Sequence, residues 1–160
     1  MLDNKKQNIS VRMNNGDLQR IKELAKRMQV RDSDVFRFAV KNTLAKLAPL
    51  YDMQVRGKDL VPVFADSGSD LTSYFELDTA RLEKIINSGV DDPEKRVARE
   101  DIELLAMAGL QESYVYMRLN QILRKQSGLQ AASGVLREYL LDKYMDGYVS
   151  KEPDEMKKSA

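Results

Sequence analysis

The stretch that decides the fold lies near the start of the chain, where residues 8–13 read NISVRM. Polar and apolar residues alternate in this stretch without a break, which is the period-two pattern of a strand with one buried face. The apolar row, which we expect to face a core, is Ile9, Val11 and Met13, and the outward row is Asn8, Ser10 and Arg12.

Two helices are predicted directly after this strand. Residues 14–17, NNGD, are turn-forming and helix-capping residues, and apolar residues then recur at helical spacing as far as Met28. The periodicity breaks at residues 29–31. A second helical pattern follows, with Asp32 or Ser33 as its N-cap, and ends before Pro49. The predicted order is strand, helix, helix.

A lone strand leaves its backbone donors and acceptors without partners, so this segment needs a second strand from elsewhere. A second copy of the chain could supply it. Two copies that pair antiparallel about a two-fold axis would bury the apolar row beneath four helices. We therefore expect an obligatory homodimer with a core made of Ile9, Val11, Met13, Val35, Phe36 and Ala39.

Residues 8–47 resemble the ribbon-helix-helix family of bacterial and phage DNA-binding regulators, the MetJ/Arc type. The resemblance rests on residues 9–13 as the ribbon, on Leu18, Ile21 and residues 24–28 as the first helix, and on residues 33–37 with Ala39 as the start of the second. It implies an intertwined dimer whose antiparallel ribbon enters the DNA major groove.

The resemblance also implies which side chains touch DNA. Asn8, Ser10 and Arg12 occupy the positions that contact base edges, and their chemistry suits this role, because Arg pairs bidentately with guanine and Asn with adenine. The alternative is that all three form only the solvated face of a strand.

In the family, backbone N–H groups at the start of the second helix hold a DNA phosphate, where the helix dipole favours an anion. The matching residues are Arg31, Asp32 and Ser33. The Asp32 carboxylate could compete for these N–H groups. Lys5 and Lys6 are further candidate phosphate contacts, although either could be an ordinary solvated lysine.

Two residues depart from the family pattern. Gln29 stands where the family usually has Gly between its helices, so it must accept a left-handed conformation or end the helix differently. Phe38 stands where an exposed polar residue is usual, and we expect something to cover its ring. Our hypothesis is that the C-terminal domain docks there.

The expected fold class is mainly α: an N-terminal ribbon-helix-helix domain followed by an all-helical C-terminal domain that we do not recognise. The predicted boundaries are a DNA-binding and dimerisation domain at 1–48, a linker with a short extended segment at 49–69, a helical domain for oligomerisation, partner or effector binding at 70–147, and a disordered tail at 148–160.

The predicted helical domain contains two clusters with possible chemistry. Its carboxylates, Asp91, Asp92, Glu94, Glu100, Asp101 and Glu103, lack a regular ligand spacing and are interpreted as a solvated face rather than a metal site. Its methionines and tyrosines are interpreted as core rather than as a ligand pocket, namely Met107, Met117, Met145, Tyr114, Tyr116, Tyr139, Tyr144 and Tyr148.

Charge and composition bound the function. Residues 1–48 carry 11 Lys and Arg against 5 Asp and Glu, a net of +6, and residues 49–160 carry 15 against 20, a net of −5. A basic head fits a polyanionic partner. The absence of His and Cys excludes imidazole and thiolate catalysis and ligation, so we expect no enzyme, metal or cofactor.

These observations predict a cytoplasmic transcriptional regulator, most simply a repressor, that binds double-stranded DNA as a dimer or tetramer and is nucleoid-associated when bound. No apolar run or signal-peptide stretch points to a membrane. Alternatives are a plasmid-partition or conjugation accessory protein, an antitoxin, or a helical protein-interaction module that the ribbon dimerises.

Overall fold

The computed structural model describes residues 5–123 and 132–146 of the 160-residue chain. The described residues are mainly α-helical and include no strand. No helix among them has the length and apolar content to cross a bilayer. The α-helices are α1 Asn15–Met28, α2 Asp32–Lys46, α3 Ala48–Tyr51, α4 Val61–Phe75, α5 Thr79–Asn87, α6 Arg99–Met107, α7 Glu112–Leu123 and α8 Ala132–Tyr144.

The chain divides into two compact units between Lys46 and Leu47. The first, which we call the head, contains α1 and α2, and these two helices pack against each other. The second, the helical unit, contains α3 to α8 and two 3₁₀ turns, Gly57–Leu60 and Pro93–Lys95. The division lies two residues before the boundary predicted from the sequence.

The predicted ribbon is not seen as a strand. Residues 5–14 have no regular secondary structure in the single chain. The physical reason is pairing: a strand is defined by hydrogen bonds to a neighbour, and no other described segment supplies one. The described head is therefore two helices preceded by a segment without regular secondary structure.

The turn between α1 and α2 adopts one of the two geometries expected at Gln29. Its φ of 56° is left-handed, its N–H donates to the Lys26 carbonyl, and the next N–H, that of Val30, donates to the Ala25 carbonyl at 3.0 Å. These two bonds form a Schellman cap, which usually uses Gly at this position. At the other end, the Asn14 side chain caps α1 by accepting from the Asp17 N–H at 2.8 Å.

The prediction of a linker with an extended segment at 49–69 is wrong. Residues 57–60 form a 3₁₀ turn and residues 61–75 form α4, which brings Leu60, Val61 and Phe64 into the core. Pro62 interrupts the apolar run at residues 60–64 and lies in the first turn of α4. Proline suits a helix start because its N–H would have no helical partner there.

Helix α4 is the centre of the helical unit, since it packs against both α6 and α8. A small residue allows the approach to α6: a Cβ at Gly68 would lie 3.3 Å from Leu105 Cδ2. Helix α5 packs on α6, and α7 packs on α8. The buried cluster of this unit is Leu60, Val61, Val63, Phe64, Leu82, Ile86, Val97, Ile102, Leu104, Leu105, Ala106, Val115, Leu119, Val135, Leu136 and Leu140.

Two aspartates cap elements of the helical unit. Asp78 caps α5, with its carboxylate accepting from the Arg81 N–H at 2.8 Å. Asp92 caps only the 3₁₀ turn at residues 93–95, and α6 begins later, at Arg99. The tail predicted at 148–160 lies outside the described residues.

Gly57 provides a test of this packing. Its φ is +58°, and an added Cβ would lie 2.1 Å from the Lys95 carbonyl oxygen. We expect Gly57→Ala to lower the free energy of unfolding by about 2 kcal/mol or more, through left-handed strain and the backbone clash. Denaturant unfolding of the full chain measures this. Gly134→Ala is the control: a Cβ there meets nothing within 4 Å, so this helix substitution should stabilise by up to about 1 kcal/mol.

Candidate nucleic-acid interface

The predicted base-contacting residues are accessible but are not held by the single chain. Asn8, Ser10 and Arg12 lie in the segment without regular structure, and all three are exposed. Of the apolar row between them, Ile9 is 84% exposed and Val11 77% exposed. The described chain therefore leaves both faces of the segment in solvent, and neither the apolar row nor the polar row is buried.

The head has almost no core of its own. Ala25 is its one buried apolar residue within the described chain, and α2 buries none. Of the other predicted dimer-core positions, Val35 and Phe36 are half-buried and Ala39 is exposed. The exposed large apolar side chains of the head are Ile9, Val11, Met13, Leu24, Met28, Val30, Phe38, Val40 and Leu44. Burying one such side chain stabilises by roughly 1.5–3 kcal/mol, so this surface favours association.

The N-terminus of α2 carries a compact cluster of charges. The Asp34 carboxylate accepts from the Arg31 backbone N–H at 3.3 Å, from Arg31 Nε at 3.2 Å and from Arg37 Nη1 at 3.1 Å. We call Arg31, Asp34 and Arg37 the arginine pair and its carboxylate. The hydrogen bond from the Arg31 side chain is the main reason that the pKa of Asp34 lies below its ordinary value. The carboxylate is thus charged at neutral pH.

This cluster changes the interpretation of the predicted phosphate site. Helix α2 begins at Asp32, so Arg31, not Asp32 or Ser33, is its N-cap. The carboxylate that reaches back to the Arg31 N–H comes from Asp34, three residues later, which is half of a capping box. Asp32 and Ser33 are exposed in the first turn, and their contact with a phosphate stays a prediction.

The sequence contained a signal for this arrangement. The spacing of Asp34 from Arg31 is that of the acid in a capping box, so Asp34 as well as Asp32 could be predicted to compete with a phosphate. The other predicted phosphate contacts, Lys5 and Lys6, are exposed in the segment before α1. Three further basic residues of the head are exposed on α1, namely Lys22, Lys26 and Arg27.

The Phe38 ring is 71% exposed. Phe38 lies two positions after Phe36 on α2, which is about 200° around the helix at 3.6 residues per turn. A partner that covers the Phe36 face would therefore leave Phe38 on nearly the opposite side. That the C-terminal domain covers Phe38 stays a prediction.

A carboxylate that was expected to be solvated is buried in the helical unit. Asp101 is 1% exposed and accepts from Tyr139 Oη at 2.8 Å, from Lys143 Nζ at 2.7 Å and from Tyr144 Oη. Tyr144 Oη also accepts from the Ala98 N–H at 2.9 Å. These bonds join α8 to the first turn of α6. The signal was present in the sequence, because Asp101 is four residues from the buried Val97 and four from the buried Leu105.

The remaining carboxylates of the predicted cluster are exposed, as expected: Asp91, Asp92, Glu94, Glu100 and Glu103. Within the described residues, no three Asp, Glu, His or Cys side chains come close enough to hold a metal ion. The acidic cluster therefore separates into one buried structural residue and a solvated surface.

Most of the methionines and tyrosines pack against the core of the helical unit, as expected: Met107, Met145, Tyr116, Tyr139 and Tyr144. Tyr114 and Met117 are more exposed, at 40% and 49%, and Tyr148 lies outside the described residues. Tyr144 also lines a groove of about 600 Å³. Its charged lining is mixed, with four basic residues (Lys58, Arg96, Arg99 and Lys143) and three acidic ones (Glu83, Glu94 and Asp146).

Asp101→Asn tests the buried cluster. The substitution removes the charge that faces Lys143 and replaces one of the two oxygens that accept from the tyrosines by an NH₂ group. We expect the free energy of unfolding to fall by about 1–3 kcal/mol, the usual cost of leaving buried polar groups unsatisfied. Glu103→Gln is the matched control, because its pair with Arg99 is exposed and should contribute less than about 1 kcal/mol. Equal stability of the two variants would contradict a structural role for Asp101.

The same cluster predicts a pH dependence. Burial alone would lower the pKa of Lys143, but its hydrogen bonds to Asp101 and Tyr139 outweigh this and raise it above the ordinary value. Burial and the hydrogen bond to Asp101 raise the pKa of Tyr144. Groups with raised pKa stabilise the fold below their unfolded pKa of about 10. We expect stability to fall as pH rises above about 10, more steeply in the wild type than in Asp101→Asn, as measured by denaturant unfolding.

Comparison of the chain with known protein families, curated proteins and solved structures finds no match. The resemblance of residues 8–47 to ribbon-helix-helix regulators therefore rests on the residues quoted from the sequence. The roles that the resemblance implies for Asn8, Ser10 and Arg12 are carried forward as proposals.

Proposed function

We propose that the chain is a sequence-specific DNA-binding transcriptional regulator that acts as a dimer through a ribbon-helix-helix head. One observation carries the proposal: the head buries a single apolar residue, Ala25, among its described residues and leaves most of its apolar side chains in solvent. A soluble unit with so little core needs a partner. A second copy is the partner that the pattern of residues 8–13 fits.

The dimer accounts for both unsatisfied features of the head. Antiparallel pairing of residues 8–13 from two copies supplies the missing backbone partners. It also places Ile9, Val11 and Met13 on one face, beneath α1 and α2 of both copies, and leaves Asn8, Ser10 and Arg12 on the other. The segment exposes both of its faces in a single chain, and in the dimer it would become a ribbon with one buried face and one exposed face.

The outer face of this ribbon fits DNA in chemistry and charge. Arg12 can bind guanine in the major groove, Asn8 adenine, and Ser10 either kind of base edge. Each head carries a net charge of +6, so a dimer presents twice that charge to the phosphates. The simplest regulatory mechanism is repression, in which the bound dimer blocks polymerase.

The helical unit supports a regulator rather than an antitoxin. It has its own buried cluster, whereas antitoxin segments that wrap a toxin usually order only on binding. Its net charge of −5 disfavours DNA as its partner. We assign it to oligomerisation or to the binding of a protein or effector.

Binding to DNA fragments over a salt series tests the proposal. We expect the full-length protein to bind random DNA at low salt and to select particular genomic fragments as salt rises. Arg12→Ala should keep the salt-sensitive binding but lose selectivity by about 1–3 kcal/mol per base contact, roughly five- to 150-fold. Arg99→Ala, an exposed arginine of the helical unit, is the matched control and should change neither.

Two outcomes would contradict the proposal. Absence of binding even at low salt would favour a protein-interaction module that the ribbon only dimerises. A monomeric mass at concentrations well above those of the binding assay, measured by sedimentation equilibrium, would remove the ribbon itself, because one chain cannot form it.

A further inference from the structure

We propose that Asp34 competes with a DNA phosphate for Arg31 and Arg37, so that it limits the affinity of the head for DNA and makes Arg37 an additional phosphate ligand. The inference rests on the proposed function and deepens it. The resemblance assigns a phosphate contact to Arg31 but no role to Asp34 or Arg37. It assigns a purpose to a cluster of charges that the base-reading face does not use.

The geometry supports competition because one carboxylate occupies the donors that a phosphate would use. Asp34 Oδ2 accepts from both the backbone N–H and Nε of Arg31, and Oδ1 accepts from Arg31 Nη2 at 3.4 Å and Arg37 Nη1 at 3.1 Å. Carboxylate and phosphate oxygens are recognised by the same guanidinium edges. The carboxylate thus holds the arginine pair as a phosphate group would.

The exposure of the cluster makes exchange feasible. The side chains of Arg31 and Arg37 are 79% and 66% exposed, so a phosphate can reach both. Two cations face one carboxylate here, and a solvent-exposed ion pair contributes little stability. A DNA phosphate, which gains from counterion release, can displace it. The first turn of α2 also favours an anion through the helix dipole.

Asp32 offers a matched control on the same turn. Asp32 is the first residue of α2 and carries the same charge as Asp34, but its carboxylate forms no hydrogen bond within the described residues. Removing its charge changes the local field to a similar extent and frees no arginine. The comparison therefore separates release of the arginine pair from a general loss of negative charge.

The experiment measures binding of full-length Asp34→Asn, Asp32→Asn and Arg37→Ala to a pooled random-sequence DNA duplex across a salt series. We expect Asp34→Asn to bind about three- to tenfold more tightly at low salt, for all sequences alike, with a steeper salt dependence. Asp32→Asn should gain clearly less. Adding Arg37→Ala to Asp34→Asn should remove most of the gain, whereas Arg37→Ala alone should have a smaller effect.

The possible failures can be told apart. If the wild type binds DNA but Asp34→Asn binds no more tightly, or Asp32→Asn gains equally, the competition is overturned and the proposed function stands. If the wild type does not bind at low salt, both are overturned. Circular dichroism of each variant shows whether α2 is retained, and Arg31→Lys in the Asp34→Asn background keeps the charge while removing the guanidinium fork.

Discussion

The head depends on one constraint, which is that forty-six residues with two helices cannot enclose their own apolar side chains. Helix α2 is the clearest case, since it buries no residue in the single chain although Val35, Phe36 and Val40 lie along it. A helix of this kind owes its stability to what packs on it rather than to its backbone. The structure of the head is therefore expected to depend on the oligomeric state of the protein.

The helical unit meets the opposite condition. It encloses a cluster of leucine, isoleucine, valine and phenylalanine side chains around α4, and it adds a polar contact between α6 and α8. A unit that encloses its own core can bind a partner without refolding, whereas the head, under the proposed function, must first form a dimer. The proposed function accordingly gives DNA recognition to the head and the response to a partner or effector to the helical unit.

Local signals could be read from the sequence and long-range ones could not. The start of α1 could be read from residues 14–17 because a cap is set by the next three residues, and Asn14 does cap this helix. Residues 60–64 were misinterpreted because a short apolar run with one proline fits both a strand edge and a helix start, and only the packing of Phe64 decides between them. The roles of Asp34 and Asp101 were not predicted, for different reasons. The role of Asp34 follows from its spacing from Arg31. The spacing of Asp101 from Val97 and Leu105 indicates its burial, but its partners lie on α8, some forty positions later.

The buried Asp101 also determines how α8 aligns with α6. A helix with apolar side chains such as those of α8 can shift by a turn along its neighbour and still make apolar contacts. An apolar interface alone therefore permits several alignments. A slide of one turn, about 5.4 Å, would carry Tyr139, Lys143 and Tyr144 away from Asp101 and leave a charge in the core without partners. The carboxylate thus favours one alignment of α8 along α6 and disfavours alignments that are shifted by a turn.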